Sequence, residues 1–380
     1  LRIPLSYNLR NLFARKTTTF LTASGIALTV AVLVTVLAMN SGLRRSLEAS
    51  GHPLHLLVMR RGSTSELTSV INRETYQIVR AHAGVVASSL EIVSGISLGS
   101  GDSGLLTITL RGLLPEGFEL RERARVTEGR LFAEGRREMV VGRAVARKFP
   151  NVRLGSQVRF GRGVWTVVGV LDAGQAAANN EVFADLNQVA ADLGRPQALS
   201  TILVRAAGPV EMAAVKNALE QDRRLNVVAQ PEQAYYESQM ISAVPLQFMG
   251  SVVTALLAIG SCFSAMNTMY AAVARRTPEI ATLRILGFSR GSILSSFLIE
   301  SVALSLIGGG LGCLLAFPLH NLDTAIGNFV TFTEFSFRLT ISAPIVLTGL
   351  GAGTVMGVLG GLLPAWSASR RGVLEALRAA

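Results

Sequence analysis

Charge is scarce in this chain: 16% of its 380 residues are charged, against 49% that are hydrophobic. An average soluble domain carries about 25% charge, so the deficit points to lipid as part of the solvent. Cysteine is nearly absent, with only Cys262 and Cys313, both inside apolar runs. That excludes a disulfide framework or a cysteine zinc site, and the stretch Leu43 to Met240, which has no cysteine, must fold on packing alone. The four histidines, His52, His55, His82 and His320, form no HExxH pattern and read as ordinary loop residues. No GxxxxGK[ST] loop and no GxSxG elbow occurs in the sequence. Gly99 to Gly104 reads as a flexible loop, and Arg121, Arg123 and Arg125 as a solvated face.

Long apolar runs are what the chain does have. A spanning helix needs about 20 mostly apolar residues, and four segments qualify: Phe20 to Met39, Phe248 to Val273, Ile293 to Phe317, and Ile341 to Leu363. The first is too long for a signal-peptide core. It is preceded by Leu5, Leu9, Leu12 and Phe13 on one helical face, the pattern of an interfacial helix over residues 1–19. The predicted fold class is therefore a membrane protein of four transmembrane helices (20–42, 241–274, 293–317 and 341–366). A large α+β extracytoplasmic domain, 43–240, lies between the first two.

Orientation follows from arginine and lysine outside the long segment. Of 36 basic residues, 24 lie between Leu43 and Met240. Eleven of the remaining twelve, from Arg2 and Lys16 through Arg284 to Arg378, fall on one side, and only Arg338 falls on the other. Both termini (the tail being 367–380) and the connection 275–292 are thus expected in the cytoplasm, with 318–340 a short outer loop. The long segment has 24 basic and 20 acidic residues, so little of the +11 charge belongs to it and nucleic acid is not an expected partner.

Within the long segment, Leu105 to Leu110 alternates as a half-buried strand should. Met139 to Val141 and Trp165 to Val170 are further strands, with a turn at Gly161 to Gly163. Helical patterns run over Glu74 to Ala83 and Val210 to Gln221. The expectation is a β-rich part, about 105–200, inserted into an α/β part.

The most informative stretch is the connection after the second span. Pro278 and Glu279 suit the first turn of a helix, Ile280, Leu283 and Leu286 form an apolar stripe, and Gly287 is a natural stop. Read alone, this is either an interfacial connector or a helix that docks into a cytoplasmic partner. Arg275-Arg276-Thr277-Pro278-Glu279-Ile280 with Leu283-Arg284-Ile285-Leu286-Gly287-Phe288 resembles the signature of ABC-transporter permeases of the MacB/FtsX/LolC type, the type VII or mechanotransmission superfamily. Glu300-Ser301, Gly308 to Gly312, the tail Pro364 to Arg370 and Leu374 to Arg378 resemble the family's continuation. Gly129-Arg130, Val140 to Gly142, Ala146, Gly155 and Val167 to Val170 resemble its periplasmic core domain.

The resemblance implies a non-catalytic permease subunit in a bacterial inner membrane, working as a homodimer. A separate cytoplasmic ATPase subunit would bind ATP and magnesium, this chain holding no cofactor. Arg275, Arg276, Pro278, Glu279, Ile280, Leu283, Arg284, Leu286 and Gly287 would form its ATPase-coupling helix. ATP-driven movement would reach the outer domain for efflux or export, with a periplasmic adaptor of membrane-fusion type as a further partner. Lipoprotein extraction of the LolC kind and FtsX-like control of cell-wall hydrolases are the alternatives.

Two features lie within the spans, where membrane lipid is the neighbour. Glu300 sits two turns into the third; an acid there must face protein or water, and nearness to the cytoplasmic boundary favours a structural hydrogen bond over a proton pathway. Gly308 and Gly312, and Gly349, Gly353, Gly357 and Gly361, recur every four residues, which lets another helix approach closely. Packing within the subunit and dimerisation both fit that spacing.

Overall fold

The computed structural model describes residues 16–99, 105–239, 244–327 and 334–370. Residues 1–15 of the expected interfacial helix, most of the Gly99 to Gly104 loop and the last ten residues lie outside them, while residues 16–19 of that expected helix belong to the first long helix. The chain opens with α1 (Lys16–Ser50). The long segment then holds β1 (His55–Arg60), α2 (Arg73–Arg80), β2 (Val85–Gly99), β3 (Leu105–Leu113), β4 (Arg125–Gly129), β5 (Glu138–Gly142), α3 (Arg143–Lys148) and β6 (Gln157–Phe160). It continues with β7 (Gly163–Asp172), β8 (Glu181–Asp185), α4 (Leu186–Asp192), β9 (Thr201–Ala206), α5 (Pro209–Gln221), β10 (Val227–Pro231) and α6 (Glu232–Gln239). Last come α7 (Val244–Arg275), α8 (Thr277–Ile285), α9 (Arg290–Ala316), β11 (Asp323–Gly327), β12 (Glu334–Arg338) and α10 (Ala343–Arg370).

These elements form two compact units. One comprises Leu1–Ser41, Pro245–Leu322 and Leu339–Ala380, the other Gly42–Val244 and Asp323–Arg338. The first unit contains four helices long and apolar enough to cross a membrane. Hydroxyls tie them together where lipid offers no partner. Thr22 Oγ1 meets Thr268 Oγ1 at 2.8 Å and Thr29 Oγ1 meets Ser261 Oγ at 2.6 Å, joining α1 to α7. Ser301 Oγ donates to the Gly357 carbonyl at 2.5 Å, joining α9 to α10. Ser289 caps α9 by accepting the Ser292 N–H. Helix α7 is the least covered of the four, leaving Val253, Leu256 and Phe263 exposed.

The second unit is built on a mixed sheet in the order β10-β1-β9-β2-β3-β8-β5-β7-β4, with β6 on β7. The long strand β2 serves two partners. From Val85 to Glu91 it pairs with β9, and from Ile92 to Gly99 with β3. At this change of partner the Ser200 hydroxyl accepts the Val93 N–H at 2.9 Å and reaches the Val93 carbonyl at 3.3 Å, so neither backbone group is orphaned. One buried cluster runs through both halves of the sheet and includes Leu56, Ile92, Leu110, Val141, Trp165 and Val204. Helix α2 starts on an Asn72 cap and α4 on an Asp185 cap, each accepting a backbone N–H from the first turn.

The strands and helices read from periodicity are present, as β3, β5, β7, α2 and α5. The connection 318–340, expected as a short outer loop, is not a plain loop. Asp323 pairs with Arg338 and Gly327 with Glu334 in an antiparallel hairpin, β11–β12, which clusters with the sheet domain. Helix α1 also continues past Gly42 to Ser50, where Arg44 and Glu48 form an exposed pair one turn apart.

Candidate functional site

Between α7 and α9 the chain makes a short, sharply bounded helix. Helix α7 ends at Arg275, Arg276 breaks the helical course, and α8 begins at Thr277 with Pro278 in its first turn. Pro278 has no N–H to lose there, and Glu279 adds an acid at the positive helix end. Gly287, at φ +90°, closes the turn in a conformation that favours glycine. The buried face of α8 is Thr277, Ile280 and Ala281. Ile280 shares a buried cluster with Val273 of α7, Ile293 and Phe297 of α9, and Ala365 of α10.

The expected stripe of Ile280, Leu283 and Leu286 is not a single face. Ile280 is buried and Leu283 half-buried, whereas Leu286, the C-cap that follows the last helical residue Ile285, is exposed; Ile285 and Leu286 are 61% and 62% exposed. Pro278, Glu279 and Arg275 are also exposed, while Arg284 is half-buried and reaches the Phe288 carbonyl. The outward surface of this connection is thus apolar at its C-terminal end and charged at its N-terminal end.

Arg276 points the other way. Its guanidinium grips the Glu300 carboxylate of α9 with two hydrogen bonds, 2.7 and 3.2 Å, and lies over the Phe297 ring at 5.8 Å. Both side chains are buried, 5% and 7% exposed. Glu300 therefore anchors the root of α8, and Arg276 is a strut inside the subunit. The sequence places these two residues 24 positions apart on different helices, and only the fold joins them.

The repeated glycines sit at helix crossings within the subunit. A Cβ on Gly312 would lie 2.5 Å from the Ala27 carbonyl oxygen, and one on Gly308 2.8 Å from that of Ala23, so α9 packs backbone to backbone on α1. Gly349 meets Val30 and Val34 of α1, and Gly353 meets Val30 and the Ser305 carbonyl. Gly357 and Gly361 meet Ser305 and Ser301 of α9.

The sheet domain holds a buried ionic network that sequence reasoning missed. Arg111 of β3 bonds Glu66, Glu91 and Glu181 at 2.8–3.0 Å, and Arg121 adds a 2.8 Å bond to Glu91. Arg121 is accordingly not on a solvated face; its side chain is mostly buried, whereas Arg125 is exposed. Burial alone would raise the Glu91 carboxyl, but Arg121 and Arg111 outweigh it and hold it at about 2. Burial wins at Glu66, whose carboxyl is raised despite Arg111. The available signal was Arg111 itself, a cation on a strand otherwise patterned for burial. Beside the network, Glu232 at the start of α6 accepts the His52 backbone N–H and lies 2.9 Å from His55 Nδ1. This ties the residues following α1 to those leading toward α7.

The family described as "MacB-like periplasmic core domain" matches residues 19–222, and "FtsX-like permease C-terminal" matches residues 251–373. A macrolide export ATP-binding/permease protein MacB of Bdellovibrio bacteriovorus is 25% identical over 413 residues, covering 98% of this chain and 61% of that protein. The uncharacterized ABC transporter permease YknZ of Bacillus subtilis is 36% identical over 138 residues, covering 36% of this chain and 32% of that protein. The chain spans 35% of a further MacB, from Hahella chejuensis, so it covers less than two thirds of each of these relatives. Among solved structures, the periplasmic region of MacB from Actinobacillus actinomycetemcomitans aligns with a TM-score of 0.40 and 13% identity, over 52% of this chain and 96% of that one.

Proposed function

The chain belongs to the ABC-transporter permeases that combine a MacB-like periplasmic core domain with an FtsX-like permease part, and from that premise we propose that it relays ATP hydrolysis by a separate cytoplasmic ATPase subunit to its outer domain. The observation that carries this reading is α8: a helix rooted by the buried Arg276–Glu300 pair and presenting Ile285 and Leu286 outward. A push on the exposed end is transmitted to α7 and α9 because the root is pinned to both. Arg275, Pro278, Glu279 and Leu286 meet the ATPase in this reading. Ile280, Leu283, Arg284 and Gly287 shape the helix that carries them, and Arg276 braces it.

ATP and magnesium belong to the partner, both termini to the cytoplasm, and two permease copies to the working assembly. The curated relatives named for macrolide export favour efflux or export through a periplasmic adaptor over lipoprotein extraction or hydrolase control. The test is co-purification of the ATPase with an Ile285→Asp/Leu286→Asp variant. The ATPase should be lost while the permease stays folded; full retention, with ATPase activity still coupled, would refute the assignment.

A further inference from the structure

His52 and His55 read from the sequence as ordinary loop residues, and the ATPase relay gives them no task. In the sheet domain they bracket the turn between α1 and β1. His52, Pro53, Leu54 and His55 close it with the His55 N–H on the His52 carbonyl at 3.1 Å, and Pro53 supplies the fixed φ that the second position of such a turn favours. Gly51 lets α6 come against this turn: a Cβ there would lie 2.8 Å from the Gln233 nitrogen. Glu232, the first residue of α6, then holds the turn from a single oxygen. Its Oε2 accepts the His52 backbone N–H at 2.9 Å and lies 2.9 Å from His55 Nδ1.

The two imidazoles, their centroids 4.5 Å apart, are used in opposite senses. An ionised carboxylate only accepts, so His55 Nδ1 carries its proton toward Glu232. His55 Nε2 is buried without a hydrogen-bond partner among the described residues. At His52 the roles are reversed. Its Nδ1 accepts the Leu54 backbone N–H at 3.1 Å, the contact by which an Asn or Asp side chain closes a turn on the residue two ahead. That nitrogen therefore holds a lone pair, and the ring proton sits on Nε2. A further proton at His55 enters at Nε2 and leaves the bond to Glu232 standing. One at His52 enters at Nδ1 and sets N–H against N–H.

We propose that His52 is an acid-released latch on the turn joining α1 to β1: a proton on its Nδ1 expels the Leu54 N–H, while His55 stays anchored on Glu232. His52 is half-buried and lines a cavity of about 330 Å³, so solvent protons reach it. The charged groups acting on it are His55 of its own turn, Arg205 of β9, Glu122 in the segment before β4, and Glu232 of α6. Arg205 and Glu122 pair with each other. Arg121, Arg123 and Glu181 line the same cavity, Arg121 bound to Glu91 and Glu181 to Arg111. Burial, His55 and Arg205 hold the His52 imidazole below its usual 6.5, against the pull of Glu122 and Glu232. A depressed value means that the fold disfavours the added proton, so the latch is closed above pH 6.5 and opens as pH falls below it. The turn is the covalent link between α1 and the sheet, and its stiffness follows the acidity around the domain. The latch does not depend on the ATPase relay, and its test reads the turn alone.

The full chain in detergent is followed by hydrogen exchange from about pH 7.5 to 5, the range in which a histidine titrates. Protection, corrected for the intrinsic pH dependence of exchange, is compared at the Leu54 amide and at Val58, buried in β1. Leu54 should lose about fivefold to tenfold of its protection at the acid end, with Val58 unchanged. His52→Asn, whose amide oxygen accepts the same N–H without titrating, should hold the Leu54 protection constant. Arg205→Gln, which removes one of the cations that depress His52, should move the loss to higher pH without abolishing it. Constant Leu54 protection in the parent, an equal loss at Val58, an equal loss in His52→Asn, or an unmoved midpoint in Arg205→Gln would each overturn the latch.

Discussion

Replacing Arg276 by alanine removes one half of a pair whose other half, Glu300, is only 7% exposed inside a helix bundle. The Glu300 carboxylate would lose both of its 2.7 and 3.2 Å bonds and stay buried. Breaking a buried pair from one side costs about 3–5 kcal/mol, because the desolvation of the survivor is no longer offset. At 1.4 kcal/mol per tenfold, the docked state of α8 would lose roughly two to three and a half powers of ten. Thermal unfolding of the full chain in detergent should fall by about 6–20 °C. Glu300→Ala should do the same. The exchanged pair, Arg276→Glu with Glu300→Arg, should recover more than half of the loss, because the charges again face each other across the same two helices. ATPase stimulation in the assembled complex should track these three variants. A single variant within about 0.5 kcal/mol of the parent, or an exchange no better than the sum of two single losses, would refute the strut.

In the sheet domain, Glu91→Gln should cost on the order of 3 kcal/mol near pH 6. Glu91 is held at about 2 in the fold against an ordinary 4.5, so its contribution is present above pH 4.5 and is lost as pH falls toward 2. Chemical denaturation at several pH values should show the gap between parent and variant closing over that window, and a constant gap would sink the argument. Gly312→Leu should destabilise the helical unit by about 1–3 kcal/mol or more by overpacking against α1. Gly310→Leu, where an added Cβ meets nothing within 4 Å, is the control expected to be neutral, and equal effects would refute the crossing. Ser200→Ala should cost about 1–3 kcal/mol and raise hydrogen exchange at the Val93 amide; unchanged protection there would contradict the role given to the hydroxyl.

The four spans were legible because lipid demands about 20 apolar residues in one run, a requirement that one sequence displays without tertiary help. Pro278, Glu279 and Gly287 bounded α8 for a similarly local reason. What needed the fold was pairing at a distance. Arg276 looked like an outward basic residue because its neighbour in sequence, Arg275, is one; nothing local says that it turns inward to Glu300. Arg121 was read as solvated from its alternation with Arg123 and Arg125, yet Glu91, thirty positions earlier, pulls it into the interior. The β11–β12 hairpin was missed because its strands are only five residues long and cluster with a domain far away in the chain. The glycine repeats announced close packing, and the structure brings them against helices of the same chain.

The change of partner along β2 decides where the β-rich part can be cut. Leu105, the boundary suggested by the alternation of Leu105 to Leu110, lies on the wrong side of the strand that this part borrows. A fragment beginning there would present β3 with a bare row of amide and carbonyl groups, an invitation to pair with another copy. Starting at Ile92 keeps the borrowed half of β2 but strands Arg111 without Glu91 and Glu66. The two parts of the sheet are thus conjoined along one peptide, Glu91–Ile92, and share the charges beside it. Neither is a detachable module, and a force applied to β1 and β10 reaches β7 through the continuous strand β2 together with the shared core and charges beside it.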